Sequence, residues 1–290
     1  MKKFIFREPI HKGFSSDRKF CVTDEDGKQY LLRISDRIQY DRKLFEHNMM
    51  KKASSIGIPM CLPLDFGISE EGVYSVQSWI NGQDAETVLQ TLSDNEKYAY
   101  GIEAGRILKK IHSIPAPAEQ PEWESYYQKK IDQRIKKYLD CSVKFDGAEH
   151  MIAYIEENRH LLKNRPQSFL HRDFHRGNLM IDRQGKLTVI DFGKADFGDP
   201  WEDMKAIRWD VDVSPYFASG RINGYFDNEV PSDFWKLLAL YCCVGIISSI
   251  PWAIPFGQGE IDTMLHHAKE LLESYNDMNH LTPNWYIKPK

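Results

Sequence analysis

Three polar side chains in the second half of the chain combine residue types that phosphoryl transfer uses. Asp173 ends a His-Arg-Asp sequence, Asn178 lies five positions later, and Asp191 begins an Asp-Phe-Gly sequence after thirteen more. A carboxylate can orient an attacking hydroxyl and accept its proton, and carboxylate and amide oxygens can hold Mg²⁺ on the phosphates of a nucleotide. We therefore predict that Asp173 is the catalytic base and that Asn178 and Asp191 are the Mg²⁺ ligands.

Mostly apolar segments around these residues should hold them in place. Residues 169–170, 179–181 and 187–190 form such segments, and the polar sequence 183–186 turns the chain back between the last two. This pattern predicts a loop between buried strands, where a rigid scaffold commonly presents functional groups. A lone Asp or Asn in a loop is more often a turn former, but three in this order and spacing favour a catalytic site.

The His-Arg-Asp-x-x-x-x-Asn sequence, followed by Asp-Phe-Gly, resembles the catalytic and metal-binding loops of the protein-kinase superfamily. Two positions after the predicted base a protein kinase usually has Lys, and this chain has His175. Residues 198–203 read Gly-Asp-Pro-Trp-Glu-Asp, with no intervening Ala-Pro-Glu segment. In these features the chain resembles the aminoglycoside phosphotransferase family and its small-molecule kinase relatives. The resemblance spans nearly the whole chain.

The residue pattern and the resemblance both point to an α+β, protein-kinase-like bilobal fold. Strand-like runs with one helical stretch, 40–54, occupy the start of the chain, and helical stripes such as 95–112 dominate the rest. We therefore expect a small β-rich N-terminal nucleotide-binding lobe, 1–80, and a larger, mostly helical C-terminal catalytic and substrate-binding lobe, 81–290. A hinge near 77–82 should join them.

The resemblance implies that the N-terminal lobe binds ATP or GTP. The loop 11–16 could supply backbone N–H donors to the phosphates, so Gly13 and Ser15 are predicted contacts. Arg33 stands where the family often has a strand lysine, and Glu46 on the next helix is its expected partner. A guanidinium can bind phosphate bidentately but is not equivalent to an ammonium. The alternative is that the two residues form only a surface ion pair.

By the same resemblance, Gln77, Trp79 and Ile80 lie in the hinge, where backbone groups bind the base. Side-chain identity at this point does not distinguish ATP from GTP. Trp79 is explained equally well as a core aromatic residue.

Acidic residues cluster just after the predicted metal loop and could attract a polycationic acceptor such as an aminoglycoside. The alternative is that they brace the loop, cap a helix or form a solvated face. Aromatic residues between 209 and 256 could line a pocket for a bulky acceptor such as a macrolide, or they could be helical core. The predicted substrate residues are His175, Asp196, Glu202, Asp203 and Asp210.

The leading hypothesis is a phosphotransferase that moves the γ-phosphate of ATP or GTP to a hydroxyl of an antibiotic, either an aminoglycoside or a macrolide. The alternative is a metabolic kinase that acts on a choline-, homoserine- or sugar-like compound. A third hypothesis is a catalytically silent nucleotide-binding scaffold, which the intact Asp173, Asn178 and Asp191 disfavour.

Composition indicates an ordinary globular protein. The 290 residues are 42% hydrophobic with a net charge of -4, so no basic field suggests a nucleic-acid partner. Five cysteines without a Cys-x-x-Cys sequence, and a start broken by residues 7–9 before signal-peptide length, lead us to expect a cytoplasmic protein. Residues 237–259 are uncharged, but Pro251 and Pro255 interrupt them, so we predict a buried core helix rather than a membrane segment.

Overall fold

The computed structural model describes residues 3–12 and 16–289. The chain divides into two compact units, each formed by two chain segments. The first, which we call the sheet unit, comprises Met1–Val88 and Arg176–Ala195. The second, the helical unit, comprises Leu89–His175 and Asp196–Lys290.

An antiparallel sheet of five strands, in the spatial order β1-β2-β3-β5-β4, forms most of the sheet unit. Side chains alternate between its two faces because successive residues of a strand point in opposite directions. One face of the central strands carries a core cluster that includes Val22, Leu32 and Val76. The opposite face carries Arg33, which pairs in register with Lys19. The strands are β1 (Phe6–Ile10), β2 (Arg18–Thr23), β3 (Gln29–Ser35), β4 (Pro63–Ser69) and β5 (Gly72–Ser78).

One long helix, α1 (Tyr40–Ser55), connects β3 to β4. A short 3₁₀ turn precedes it, and Asp36 caps that turn by accepting a hydrogen bond from the Ile38 backbone. The chain leaves the helix at Gly57, whose φ of 75° suits glycine. Buried residues of α1 include Glu46 and Met50.

A second, three-stranded antiparallel sheet explains why the sheet unit includes residues from far along the chain. It consists of β6 (Gly82–Asp84), β8 (Leu179–Asp182) and β9 (Leu187–Val189), with β8 in the centre. Because β8 pairs with β6, the compact unit extends beyond the predicted boundary at residue 80 and takes in the β8–β9 hairpin. The predicted roles of the two regions remain predictions.

The helical unit contains most of the helices and one small pair of strands. Its strands β7 (Ser168–Leu170) and β10 (Asp196–Gly198) pair in antiparallel fashion. Ser93 and Glu96 form a capping box at the start of α3. A 3₁₀ segment, Pro200–Ile207, follows β10. The helices are α2 (Ala85–Leu89, across the boundary of the units), α3 (Asp94–Ile111), α4 (Trp123–Asp140), α5 (Ala148–Asn158), α6 (Arg208–Val211), α7 (Pro215–Tyr225), α8 (Ser232–Ala253) and α9 (Gln258–Tyr275).

Helices α3 and α7 cross with their backbones in close approach, through two glycines on each helix. A Cβ atom at Gly101 or Gly105 would overlap backbone atoms of α7, and one at Gly220 or Gly224 would overlap backbone atoms of α3. Glycine therefore sets the distance between these helices.

Among the described residues, one helical segment is long and apolar enough to cross a membrane, Ser232–Phe256. Within its most apolar stretch of 18 residues, 78% is buried inside the protein. Such burial is typical of the core helix of a globular unit, and it supports the predicted core helix.

Candidate active site

The β8–β9 hairpin places the two predicted metal ligands at the same end. Leu179 pairs with Val189, and one step further the Ile190 N–H donates to the Asn178 carbonyl over 3.0 Å. Asn178 therefore precedes β8 at the point where Asp191 follows β9. The pairing explains why a hydrophobic hairpin is needed to position two polar side chains.

Asp191 adopts a left-handed backbone conformation with φ 62° and ψ 71°. Few non-glycine residues do so, and such strain is concentrated at functional sites. Its carboxylate accepts hydrogen bonds from the backbone of Gly193 over 3.3 Å and from the Arg33 Nη1 over 2.9 Å. The Asp191 side chain is 34% exposed, whereas that of Arg33 is only 5% exposed.

Arg33 belongs to a buried network that the sequence did not indicate in full. Its Nε and Nη2 both donate to the same oxygen of Asp17, over 3.1 and 2.8 Å. The Lys43 Nζ also donates to Asp17, over 2.7 Å, and Ser35 donates to its other oxygen. Burial by itself raises the pKa of Asp17, but Arg33 and Lys43 outweigh burial and hold that pKa below its ordinary value.

Arg33 and Glu46, which were predicted to pair, lie at the longest distance that still counts as an ion pair. Their nearest charged atoms are 4.0 Å apart, whereas Lys43 approaches Glu46 to 3.2 Å. Both predicted partners are 4% exposed, so the alternative of a surface ion pair is wrong. Lys43 and Asp17 were missed because neither lies in a recognisable motif; only the helical spacing of Lys43 and Glu46 on α1 was available as a signal.

The predicted base, Asp173, lies on a loop of the helical unit that is fixed on both sides. Before it, the backbone N–H groups of His171 and Arg172 donate to the Asp203 carboxylate over 2.7 and 2.6 Å. After it, the buried Arg221 Nη1 donates to the Phe174 carbonyl over 2.8 Å. Charge-assisted hydrogen bonds of this kind hold a loop rigidly. Asp173 itself remains partly exposed.

His175 lies beside Asp173, with 3.7 Å between its Nε2 and the Asp173 Oδ1. This separation exceeds a hydrogen bond. The His175 ring also faces Trp209, with 6.0 Å between ring centroids. The predicted substrate residue His175 is therefore adjacent to the predicted base.

Three of the other four predicted substrate residues are buried and bound to protein groups. Glu202 is fully buried and accepts hydrogen bonds from Arg172 and from Lys205, the latter over 2.6 Å. Asp203 accepts from the backbones of His171 and Arg172, and Asp210 accepts from Arg221. These positions correct the prediction that the three carboxylates contact substrate, because none of them faces solvent.

The fourth residue, Asp196, is half-buried at the start of β10, and its carboxylate accepts from the Phe197 backbone. Its contact with substrate remains a prediction. Asp199, in the same acidic run, is buried against Arg165 and Tyr241 and accepts from the Trp201 backbone. Asp199 and Asp203 therefore fit the alternative given above, in which acidic residues brace the loop or cap a helix.

The predicted hinge residues have different environments. Gln77 is 3% exposed, and its side chain contacts Cys61 and Met50 in the interior. Trp79 is 36% exposed and, with Ile80, lines a cavity of about 380 Å³ in the sheet unit. Gly13 and Ser15, the predicted phosphate contacts, lie outside the described residues.

The oxygen donors at the end of the hairpin fit Mg²⁺. Asp191 offers a carboxylate and Asn178 an amide oxygen, which are the hard ligands that Mg²⁺ prefers, and Mg²⁺ commonly keeps its remaining positions for water and phosphate. Asn178 and Asp191 are the side chains that would hold the ion.

Comparison with known sequences identifies a family. The sequence model of the phosphotransferase enzyme family matches residues 7–235, which is most of the chain. A curated relative, the serine/threonine-protein kinase ppk8 of Schizosaccharomyces pombe, is 31% identical over 87 residues, 29% of this chain. The match spans 17% of that kinase.

Solved structures show the same fold at low sequence identity. A mutant aminoglycoside 2′-phosphotransferase IIIa in complex with GDP superposes with a TM-score of 0.71 at 14% identity, covering 96% of this chain and 94% of that one. A choline/ethanolamine kinase family protein from Mesorhizobium loti gives a TM-score of 0.64 at 14% identity, covering 94% and 90%. These similarities confirm the predicted α+β, protein-kinase-like fold.

The order and spacing of the loop residues, the fold and the family match all agree, and the chain belongs to the phosphotransferase enzyme family, as its resemblance to the aminoglycoside phosphotransferases predicted.

Proposed function

We propose that this phosphotransferase moves the γ-phosphoryl group of ATP or GTP, bound with Mg²⁺, to a hydroxyl of a small amine-bearing molecule. The observation that carries this proposal is that protein contacts hold the three predicted functional residues, Asp173, Asn178 and Asp191, in place. Asp203 and Arg221 hold the loop of Asp173, and the β8–β9 hairpin holds Asn178 and Asp191. A silent scaffold has no need of such support.

In the proposed reaction the acceptor oxygen attacks the γ-phosphorus while the bond to the oxygen between the β- and γ-phosphorus breaks. Asp173 orients the hydroxyl and takes its proton. Mg²⁺, when bound, neutralises charge on the phosphates. Asn178 and Asp191 would hold the ion, and Arg33 fixes the Asp191 carboxylate.

Aromatic and acidic groups near His175 favour an amine-bearing acceptor. The half-buried Trp209 lies near His175 and also contacts His267, with 4.3 Å between the ring centroids of Trp209 and His267. Beyond it, Asp212 and Glu270 have carboxylate oxygens 3.8 and 3.6 Å from the His267 Nδ1. Aromatic faces and carboxylates both attract ammonium groups. We propose that Trp209, Asp212 and Glu270 attract the acceptor, in place of Glu202, Asp203 and Asp210.

An aminoglycoside antibiotic is the acceptor we put first, because it carries several amines and hydroxyls. An amino alcohol is the second candidate, favoured by Trp209, since an aromatic face binds a single ammonium well. The acidic surface gives no comparable support to a macrolide or a sugar. We also propose a cytoplasmic location, because all five cysteines are free thiols and four are buried.

The test is a turnover screen with Mg²⁺ and ATP or GTP against aminoglycosides, macrolides, choline, ethanolamine, homoserine and ribose, with phosphorylated products identified by mass spectrometry. The variant Asp173→Asn runs in parallel, so that a contaminating kinase is recognised. Phosphorylation of an amine-bearing compound by the native protein, lost in the variant, supports the proposal. Turnover with macrolides or ribose alone would refute the acceptor class, and nucleotide binding without any turnover would favour the scaffold.

A further inference from the structure

The guanidinium of Arg33 is fully engaged by protein carboxylates. Asp17 takes two of its nitrogens, Asp191 takes the third, and Glu46 lies 4.0 Å from that third nitrogen. Arg33 is 4% exposed. A phosphate could bind this guanidinium only by displacing a carboxylate that already makes a short, charge-assisted contact. Arg33 is therefore poorly suited to the phosphate-binding role that the family resemblance gave it.

A different cation lies on the same face of the sheet. Lys19 on β2 stands directly opposite Arg33 on β3, and residues opposite each other in an antiparallel pair project to the same side. The Lys19 ammonium donates to the Lys12 carbonyl over 2.8 Å. Among residues 3–12 and 16–289, no carboxylate comes within ion-pairing distance of it. An ammonium has three donors, so two remain for another acceptor.

The ammonium of Lys19 is partly withdrawn from water, and charges of both signs act on it. Burial lowers the pKa of Lys19. Asp191 and Asp17 raise that pKa while Arg33 and Lys43 lower it, and burial decides the net direction. The charged ammonium is thus held at a cost, which a bound polyanion would relieve. Lys19 lies opposite Arg33, whose guanidinium binds the predicted Mg²⁺ ligand Asp191.

The carbonyl that Lys19 binds belongs to the start of the loop predicted to contact phosphate. Lys12 is itself anchored, since its Nζ lies 2.7 Å from an Asp84 carboxylate oxygen. The far end of the loop is anchored at Asp17, which Arg33 and Lys43 hold. The described residues on the two sides of this loop, Lys12 and Asp17, are thus both held in place, and Lys19 binds the first of them.

We propose that Lys19 is the side chain that binds the β- and γ-phosphates of the nucleotide, and that Arg33 is a positioning residue that holds Asp191. This inference rests on the proposed function, because it presumes that the sheet unit binds a nucleoside triphosphate. It also accounts for the arginine at the position of the usual strand lysine, because an ammonium is available on the neighbouring strand at the directly opposite position.

The test measures, by isothermal titration calorimetry with Mg²⁺, the affinity of the native protein, Lys19→Met and Lys19→Arg for a nucleoside and its mono-, di- and non-hydrolysable triphosphate. Adenine and guanine series are both used. Lys28→Met is the matched control, because Lys28 is an exposed lysine of the same hairpin whose ammonium lies over the Tyr30 ring. Thermal unfolding of each variant verifies that it is folded.

We expect Lys19→Met to weaken triphosphate binding roughly 10- to 100-fold, the loss that a hydrogen bond to a charged group implies. Nucleoside and monophosphate binding should be unchanged, Lys19→Arg should recover part of the loss, and Lys28→Met should behave as the native protein does. Equal weakening of every nucleotide would overturn the inference, since it would mean that Lys19 only supports the loop. Unchanged triphosphate binding in Lys19→Met would overturn it as well.

Failure of the proposed function gives a different result. In that case the native protein itself would bind no triphosphate in either series. With triphosphate binding intact in the native protein, the Lys19 variants alone decide the inference.

Discussion

The Arg33 Nη1 donates to the Asp191 Oδ1 over 2.9 Å, joining two residues that are 158 positions apart in the chain. The bond connects the five-stranded sheet to the Asp-Phe-Gly sequence. Asp17, on the other side of Arg33, prevents the guanidinium from turning away. The orientation of the predicted Mg²⁺ ligand thus depends on Arg33 and, through Arg33, on Asp17, which lies in no recognisable sequence motif.

Removal of this guanidinium should destabilise the protein strongly. Arg33→Met removes the guanidinium that Asp17 and Asp191 both bind, and breaking a buried ion pair costs about 3–5 kcal/mol. The free energy of unfolding from urea titration measures the loss. Arg37→Met is the control, because Arg37 is exposed and donates to the Ser69 carbonyl. For this control we expect a change of about 0.5 kcal/mol or less. Equal stability of both variants would show that the network contributes nothing to folding.

Replacement of Asp203 should impair turnover more than nucleotide binding. In Asp203→Asn one acceptor oxygen becomes a donor, so the amide can no longer accept from both the His171 and Arg172 backbones. We expect the turnover rate to fall roughly 10- to 100-fold through misplacement of Asp173, while calorimetric nucleotide affinity stays at the native value. Asp132→Asn, at an exposed carboxylate on α4, controls for the loss of one charge. Native turnover in Asp203→Asn would contradict the bracing role.

Acid stability should depend on Glu202. Burial raises its pKa, but Arg172 and Lys205 outweigh burial and hold that pKa well below the ordinary value of 4.5. Because the folded-state pKa is depressed, the carboxylate stabilises the fold fully above about pH 4.5, and this contribution is lost as the pH falls towards the folded-state pKa.

The variant Glu202→Gln should therefore be less stable than the native protein at pH 7, by about 3–5 kcal/mol, because Arg172 and Lys205 lose their charged partner. Below pH 4.5 its urea midpoint should decline less steeply with acidification than the native midpoint. Urea unfolding at several pH values between 3 and 7 tests this. Parallel curves for the two proteins would mean that Glu202 does not cause the acid sensitivity.

The α3–α7 crossing should reject even one added methyl group. Alanine favours helix over glycine by about 1 kcal/mol, so an open helical site would gain stability. At Gly105 the new Cβ would instead overlap the Arg221 carbonyl and the Tyr225 nitrogen, and we expect a net loss of about 1–3 kcal/mol, as for overpacked cores. Gly259→Ala, at a helical site with open space around its Cβ position, should be neutral or stabilising. A stabilised Gly105→Ala would refute the close approach.

Sequence patterns predicted the elements around the site well, because they depend on local properties. The apolar runs on both sides of the polar turn became β8 and β9, and the stripe over 95–112 became α3 (Asp94–Ile111). The hydrogen bond between Ile190 and Asn178 follows from that hairpin pairing. The family match, in turn, confirms the resemblance that these loops carried.

What the sequence could not provide was burial and long-range pairing. Glu202 and Asp210 have the composition of a solvated acidic surface, yet each is sequestered by an arginine from another element. Asp17 gave no signal, since its partners lie on β3 and α1. The position of Lys19 opposite Arg33 depends on the register of the β2–β3 hairpin, which pairs residues that are far apart in the sequence.

The glycine crossing of α3 and α7 also limits how this sequence can evolve. The four glycines meet backbone atoms, which no compensating substitution can remove, whereas a tight side-chain contact can be relieved by shortening the neighbour. Arg221, which holds the Phe174 carbonyl beside Asp173, lies between two of them on α7. Close homologues that keep the catalytic loop should therefore keep glycine at 101, 105, 220 and 224, even where the surrounding core has drifted.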